Sequence, residues 1–200
     1  MHISEGVLSI PVLISGTILT IAAVGYGLKK MDYNQIPRVA ILSSAFFVAS
    51  LIRVPIGPSS VHLILNGLVG IMLGWSAFPA ILVALILQAI LFQFGGITTL
   101  GVNTFNMGLP AIICFYLLSP LIRHRNNFIV LSSSFVCGFL AVFLANILVA
   151  VSLVFTGEAF REIAKLVIIA HMPVSVIEGL LTTFCVGFLQ KVKPEILGGN

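Results

Sequence analysis

The sequence predicts an all-α fold: a polytopic membrane helix bundle of about seven transmembrane helices, with the N-terminus outside and the C-terminus cytoplasmic. A single transmembrane domain is expected over residues 1–200. Composition, run length and charge placement predict it. Hydrophobic residues make up 59% of the 200 and charged residues 8%, where soluble proteins carry roughly 25% charged residues. Mean hydropathy is +1.18. Several apolar runs approach the ~20 residues a helix needs to cross a bilayer. Basic residues gather at alternate breaks between those runs, as they do on the cytoplasmic side of membrane proteins.

Span one is expected over residues 8–28. The loop from Lys29 to Arg38 carries three positive charges. Span two follows over 39–52, and Arg53-Val54-Pro55-Ile56-Gly57-Pro58-Ser59-Ser60 ends it through its prolines and glycine. Span three covers 61–74, Trp75 to Pro79 makes a short turn, and span four covers 80–94. Residues 95–108, GGITTLGVNTFNMG, read as a polar, glycine-rich loop. Span five is expected over 109–122, span six over 128–155 and span seven over 172–189. Between the last two lie a polar stretch, 156–165, and an apolar lead-in. Spans two and three are short for full helices, so six crossings is the alternative count.

The charges set the orientation. Residues 1–7 hold no Lys or Arg, and Lys29 and Lys30 follow the first apolar run. A secretory signal has the opposite order, a basic start and then an apolar core. The N-terminus is therefore expected outside and uncleaved. Seven spans then place Lys29, Lys30, Arg38, Arg123, Arg125, Lys191 and Lys193 inside, and Arg53, Arg161 and Lys165 outside. Met1, His2, His62, His171, Asn103 and Asn106 fall near the outer side. His124 falls inside, between two arginines that read as a topology signal.

A histidine at position 2 offers a chelate that no internal histidine can make. Its donors are the α-amine of Met1, the backbone nitrogen of His2 and one imidazole nitrogen of His2. They close fused five- and six-membered rings, and late first-row divalent metals favour such nitrogen sets. His62, at the outer start of span three, is a candidate further ligand, since an ionisable side chain at a membrane segment is costly unless it is used. Asn66, four residues on, either orients His62 or bonds between helices. Thr98, Thr99, Asn103, Thr104 and Asn106 could form a lid that orders around the N-terminus. His171 and Glu178, seven residues apart, share a helical face and form a possible secondary site. Glu178 needs a partner or a proton there: it reads as a support for the site, a conformational lock, a contact for another protein or a packing hydrogen bond.

Other classes are disfavoured. No P-loop, H-E-x-x-H or G-x-S-x-G motif is present, so the chain is not expected to bind ATP through a P-loop. The acidic residues are scattered, and no internal inverted repeat stands out. Cys114, Cys137 and Cys185 sit singly in apolar runs, which is how packing cysteines lie. Gly70-x-x-x-Gly74 and Ala80-x-x-x-Ala84 are small-residue patterns that let helices approach closely. Nothing points to nucleic acid. An intramembrane enzyme using His171 and Glu178, or a stand-alone channel, are the competing readings.

Four blocks, MHISEG, PIGPSSVHLILNGLVGIMLG, FGGITTLGVNTFNMGLPA and AHMPVSVIEGLLT, together resemble the CbiM/NikM family. Its members are substrate-capture (S) components of energy-coupling factor transporters for cobalt and nickel. The resemblance runs over nearly the whole chain, with the blocks in the right order. It implies a seven-helix bundle whose extra first helix brings the N-terminus into the core. It implies a metal held by the Met1 amine, the His2 amide and imidazole nitrogens, and His62, with the Thr98 to Asn106 stretch packed over the N-terminus. Co²⁺ or Ni²⁺ would be the transported substrate, with no catalytic cofactor. The implied partners are a transmembrane coupling protein, ATPase subunits and a small auxiliary membrane protein. Many relatives carry an acidic residue or histidine before the Gly-Gly pair, where this chain has Phe94.

Overall fold

The computed structural model describes residues 2–56 and 59–197. Seven α-helices make up most of it: α1 (Ile10–Lys30), α2 (Ile36–Ala49), α3 (Asn66–Leu73), α4 (Ala77–Phe92), α5 (Leu100–Ile122), α6 (Asn127–Thr156) and α7 (Arg161–Val192). A short antiparallel hairpin, β1 (Arg53–Ile56) and β2 (Ser59–His62), pairs Arg53 with His62 and lies between α2 and α3. Among the described residues, five segments are long and apolar enough to cross a membrane. They are α1, the run Asn66–Phe92 that joins α3 to α4, α5, α6 and the run Glu158–Val192 that contains α7.

Three expected boundaries shift. Residues 61–64 are not helical: β2 ends at His62 and α3 begins only at Asn66. The 95–108 stretch is not one loop, because α5 already begins at Leu100. Asn103, Thr104 and Asn106 are buried on its first two turns, so their polarity marks an inward face. In a membrane bundle polar side chains turn toward the protein interior, and a low-hydropathy stretch then imitates a loop. Finally, α7 starts at Arg161, so His171 lies well inside a helix of 32 residues.

Close packing between helices comes from small residues. A β-carbon on Gly70 of α3 would lie 2.3 Å from the carbonyl oxygen of Ala111 on α5. One on Gly67 would meet the Cys137 carbonyl at 2.9 Å, and one on Gly138 of α6 would meet the Glu178 carbonyl of α7 at 2.3 Å. Helix α3 is thus wedged between α5 and α6, and α6 lies directly on α7. Lipid tails are as apolar as leucine, so close van der Waals contact and internal hydrogen bonds hold such helices together. The Asn66 carboxamide supplies two of those bonds. Its Nδ2 donates to the Met107 carbonyl of α5 at 3.2 Å and the Ala141 carbonyl of α6 at 3.3 Å.

Helix α1 lies at the edge of the bundle. Its buried residues are Gly16, Thr20 and Gly27, a stripe turned toward α5 and α4. Thr20 donates to the Gly101 carbonyl at 2.6 Å. At its far end Tyr26 meets Trp75 edge-on, with ring centroids 4.6 Å apart, and Trp75 Nε1 donates to the Tyr116 hydroxyl at 2.9 Å. Aromatic side chains with a polar tip favour membrane–water interfaces, and Lys29 and Lys30 lie just beyond them in the last turn.

Gly70→Ala is expected to lower the thermal unfolding midpoint of the protein in detergent, through overpacking of about 1–3 kcal/mol. Gly25→Ala, where the new methyl meets nothing within 4 Å, is the control and should leave the midpoint unchanged or slightly raised.

Candidate metal centre

The site is built where the N-terminal segment, the hairpin and the α4–α5 connection meet. The rings of His2 and His62 face each other with centroids 4.6 Å apart and planes 40° from parallel. His62 is buried at the end of β2, and its Nδ1 donates to the Leu63 carbonyl at 3.0 Å. A carbonyl can only accept, so Nδ1 carries a proton, and in the neutral ring Nε2 is the nitrogen left to bind a metal. A hydrogen bond of this kind fixes the tautomer of metal-binding histidines. Phe94 stands against His2 at 6.5 Å between centroids and stacks on Phe92 at 5.4 Å. One wall beside the imidazole is therefore apolar.

Asn103 fixes the N-terminal segment. The Ile3 N–H donates to its Oδ1 at 3.0 Å, and its Nδ2 donates to the Ile3 carbonyl at 3.1 Å. One carboxamide thus satisfies both polar backbone groups of the residue after His2. Thr99 steadies it by accepting from Nδ2 at 3.2 Å. Ile3 and Leu8 then pack with Val102, Val149, Leu153 and Ala164, which draws the segment onto α5, α6 and α7.

The Gly95-Gly96 pair makes the seat for this segment. Gly95 sits at φ 77° and Gly96 at φ 140°, values that side chains resist. A β-carbon on Gly96 would collide with the Glu5 side chain at 1.9 Å, and one on Gly95 would lie 3.0 Å from Asn103 Nδ2 and 3.4 Å from the His2 β-carbon. The Glu5 N–H donates to the Gly95 carbonyl at 3.0 Å, and Glu5 Oε1 accepts from the Thr98 N–H at 3.2 Å. Glu5 thus ties the segment to the seat. Its place between His2 and Gly6 in the first block is the sequence signal that points to it.

The remaining candidates separate. Thr98 acts through its backbone N–H, and Thr99 through its hydroxyl. Asn106 is turned toward α6 and donates to Ser152 Oγ at 3.3 Å. Asn66 bonds between helices, as above. His171 is buried, with Nδ1 donating to the Val167 carbonyl at 2.8 Å. Its Nε2 has no hydrogen-bond partner among the described residues. Glu178 is fully buried and accepts from the Ile64 N–H, and from the Leu65 N–H at 3.0 and 3.1 Å. His171 and Glu178 are thus bonded to backbone groups, not to each other, and form no acid–base pair. Gln88, which sequence reasoning passed over, is fully buried near the end of α4, with both polar atoms unpaired among the described residues. Met1 lies outside the described residues. No group of three His, Cys, Asp or Glu side chains converges among the described residues, so a metal held by His2 and His62 needs other donors.

An apolar helix bundle with two apposed histidines at one end fits the class of membrane components that handle metal ions. Residues 2–196 match the family described as CbiM, cobalt uptake substrate-specific transmembrane region, and the chain belongs to it. The family is one of metal-transport components, not of enzymes, and the chain is a membrane protein. A Haemophilus influenzae protein named as a putative metal transport protein is 38% identical over 98% of this chain and 97% of its own length. The cobalt transport protein CbiM of Clostridium tetani is 31% identical over 100% and 89%. A putative fused nickel transport protein NikMN of Archaeoglobus fulgidus is 27% identical over 98% of this chain and 68% of its own. Among solved structures, one described as a transition metal transporter superposes with a TM-score of 0.80 at 28% identity, covering 96% of this chain and 93% of that one.

Asn103→Ala strands the Ile3 N–H and carbonyl at a buried place, which costs about 1–3 kcal/mol. Amide exchange across residues 2–6 is expected to speed up roughly ten-fold or more, while exchange in the middle of α6 stays as in the parent protein.

Proposed function

We propose that the chain captures divalent cobalt from outside the cell, as the substrate-binding component of an energy-coupling factor importer. The observation that carries this reading is the 4.6 Å apposition of His2 and His62. With metal–nitrogen bonds of about 2.0–2.1 Å, two imidazoles at right angles on one ion have centroids roughly 4.5 Å apart. The ligand set is His62, the His2 imidazole, the His2 backbone nitrogen and the α-amine of Met1. The backbone and terminal donors supply what the missing third side chain does not. Asn103, Glu5 and the Gly95-Gly96 seat support the reading, because they hold the residues that flank His2.

Four nitrogens favour late first-row ions, and raw affinity within that series peaks at copper. Selection for the transported ion then rests on the geometry that the seat imposes. The same set serves nickel, and the Archaeoglobus relative is named for that metal. Nickel is therefore the alternative substrate. In this reading the His2 end faces outward, and the basic residues at the other helix ends, from Lys29 to Lys193, face the cytoplasm. Seven helices cross or enter the bilayer. A transmembrane coupling protein, ATPase subunits and a small auxiliary membrane protein complete the importer, and ATP hydrolysis by those subunits drives release inside.

The test is Co²⁺ and Ni²⁺ binding to purified protein with a native N-terminus. His2→Ala, His62→Ala and a short N-terminal extension are each expected to weaken binding by more than about 100-fold, since even outer partners of a metal site are worth 10–100-fold. Wild-type affinity in the extended protein would remove the α-amine from the ligand set. Metal flux into liposomes that contain this chain alone would point to a channel instead.

A further inference from the structure

We infer that Glu178 is a positioning residue for the metal centre: from α7 it holds the backbone that presents His62 to His2. The inference rests on the metal-capture reading and adds to it how His62 is kept in register. Between β2, which ends at His62, and α3, which begins at Asn66, three residues must turn the chain from extended to helical. Leu65 does so at φ 57°, a left-handed conformation that costs a non-glycine residue energy and persists only where the surroundings enforce it. The Glu178 carboxylate is that surrounding. One oxygen accepts from the Ile64 and Leu65 N–H groups, and the other accepts from Leu65 as well. These groups sit at the N-terminus of α3, where a helix favours negative charge.

The chain of contact is short. His62 Nδ1 is locked to the Leu63 carbonyl, and the next two N–H groups are locked to Glu178. The imidazole is therefore oriented by backbone that α7 holds. The Glu178 backbone is packed closely on α6: its carbonyl lies against Gly138, where a β-carbon would come within 2.3 Å. A displacement of α7 along α6 would pull the 63–65 backbone with it and part the two histidines. The carboxyl group suits this role because both of its oxygens accept from the backbone. A carboxamide at the same place would turn an NH₂ group toward N–H donors or give up one acceptor.

The experiment compares wild type, Glu178→Gln, Glu178→Asp and His62→Ala, purified with native N-termini. Ni²⁺ affinity and the ligand-field spectrum of bound Ni²⁺ are measured on the folded fraction. Glu178→Gln is expected to weaken Ni²⁺ binding by about 10–100-fold, the range for residues that orient a metal ligand, and to move the ligand-field spectrum of the bound ion away from that of wild type. Glu178→Asp, which keeps the acceptors on a shorter arm, should fall between Gln and wild type. A merely structural role would reduce the yield of folded protein but leave the affinity and spectrum of that fraction at wild-type values, and that result overturns the inference. If both variants fail to fold, amide exchange in the wild type decides. Ni²⁺ should slow exchange at Ile64 and Leu65, and unchanged exchange there counts against the coupling. If wild type binds no Ni²⁺ or Co²⁺, the metal-capture reading itself fails. If wild type binds, His62→Ala does not and Glu178→Gln matches wild type, only the present inference fails.

Discussion

A carboxamide that bonds to both the N–H and the carbonyl of one residue treats that residue as a neighbouring strand would. Asn103 does this for Ile3, and the histidine end of the bundle depends on it. Among the described residues, no strand pairs with the N-terminal segment to take up its polar backbone groups. Inside a membrane protein such groups must find partners within the protein. With Ile3 fixed, His2 is placed to within a residue, Glu5 reaches the Gly95-Gly96 seat, and Ile3 and Leu8 can pack on α5, α6 and α7.

Two histidines arrive at the site by different kinds of support. His2 is held from the α4–α5 side, through Asn103 and the glycine seat. His62 is held from the α7 side, through the backbone contacts of Glu178. The two supports sit on different helices, so the distance between the imidazoles depends on how the bundle is packed. That packing rests on glycines at backbone contact, Gly67, Gly70 and Gly138. Small residues near the middle of the bundle thus bear on the geometry of a site at its end.

Much of this could be read in the residues, and the failures have physical reasons. The long apolar runs mark α1, α6 and the later part of α5, and the basic breaks fall at helix ends. The error over residues 61–64 arose because Val61 to Leu65 is as apolar as a helix, and hydropathy cannot distinguish a buried extended segment from a helical one. The error over 100–108 was the converse: Asn103 and Asn106 lowered the hydropathy of a helix because they face inward. His2 and His62 were named together from topology and charge. The function of Glu178 was left open because its partners, Ile64 and Leu65, are more than a hundred positions away in the chain. The contacts of Glu5, the Gly95 carbonyl and the Thr98 N–H, are likewise distant in the chain.

The chain has one tryptophan, Trp75, and its position has a practical consequence. It sits just before α4, while Phe94, beside His2, follows the other end of that helix. Sixteen residues of helix separate the two ends, about 24 Å at 1.5 Å per residue. Its indole is gripped by Tyr26 of α1 and Tyr116 of α5. Intrinsic ultraviolet emission from this protein is therefore a built-in gauge of how tightly the first helix is seated. It reads the end of the bundle remote from the histidines, so a ligand bound between them would alter the signal only by moving the helices that hold the indole.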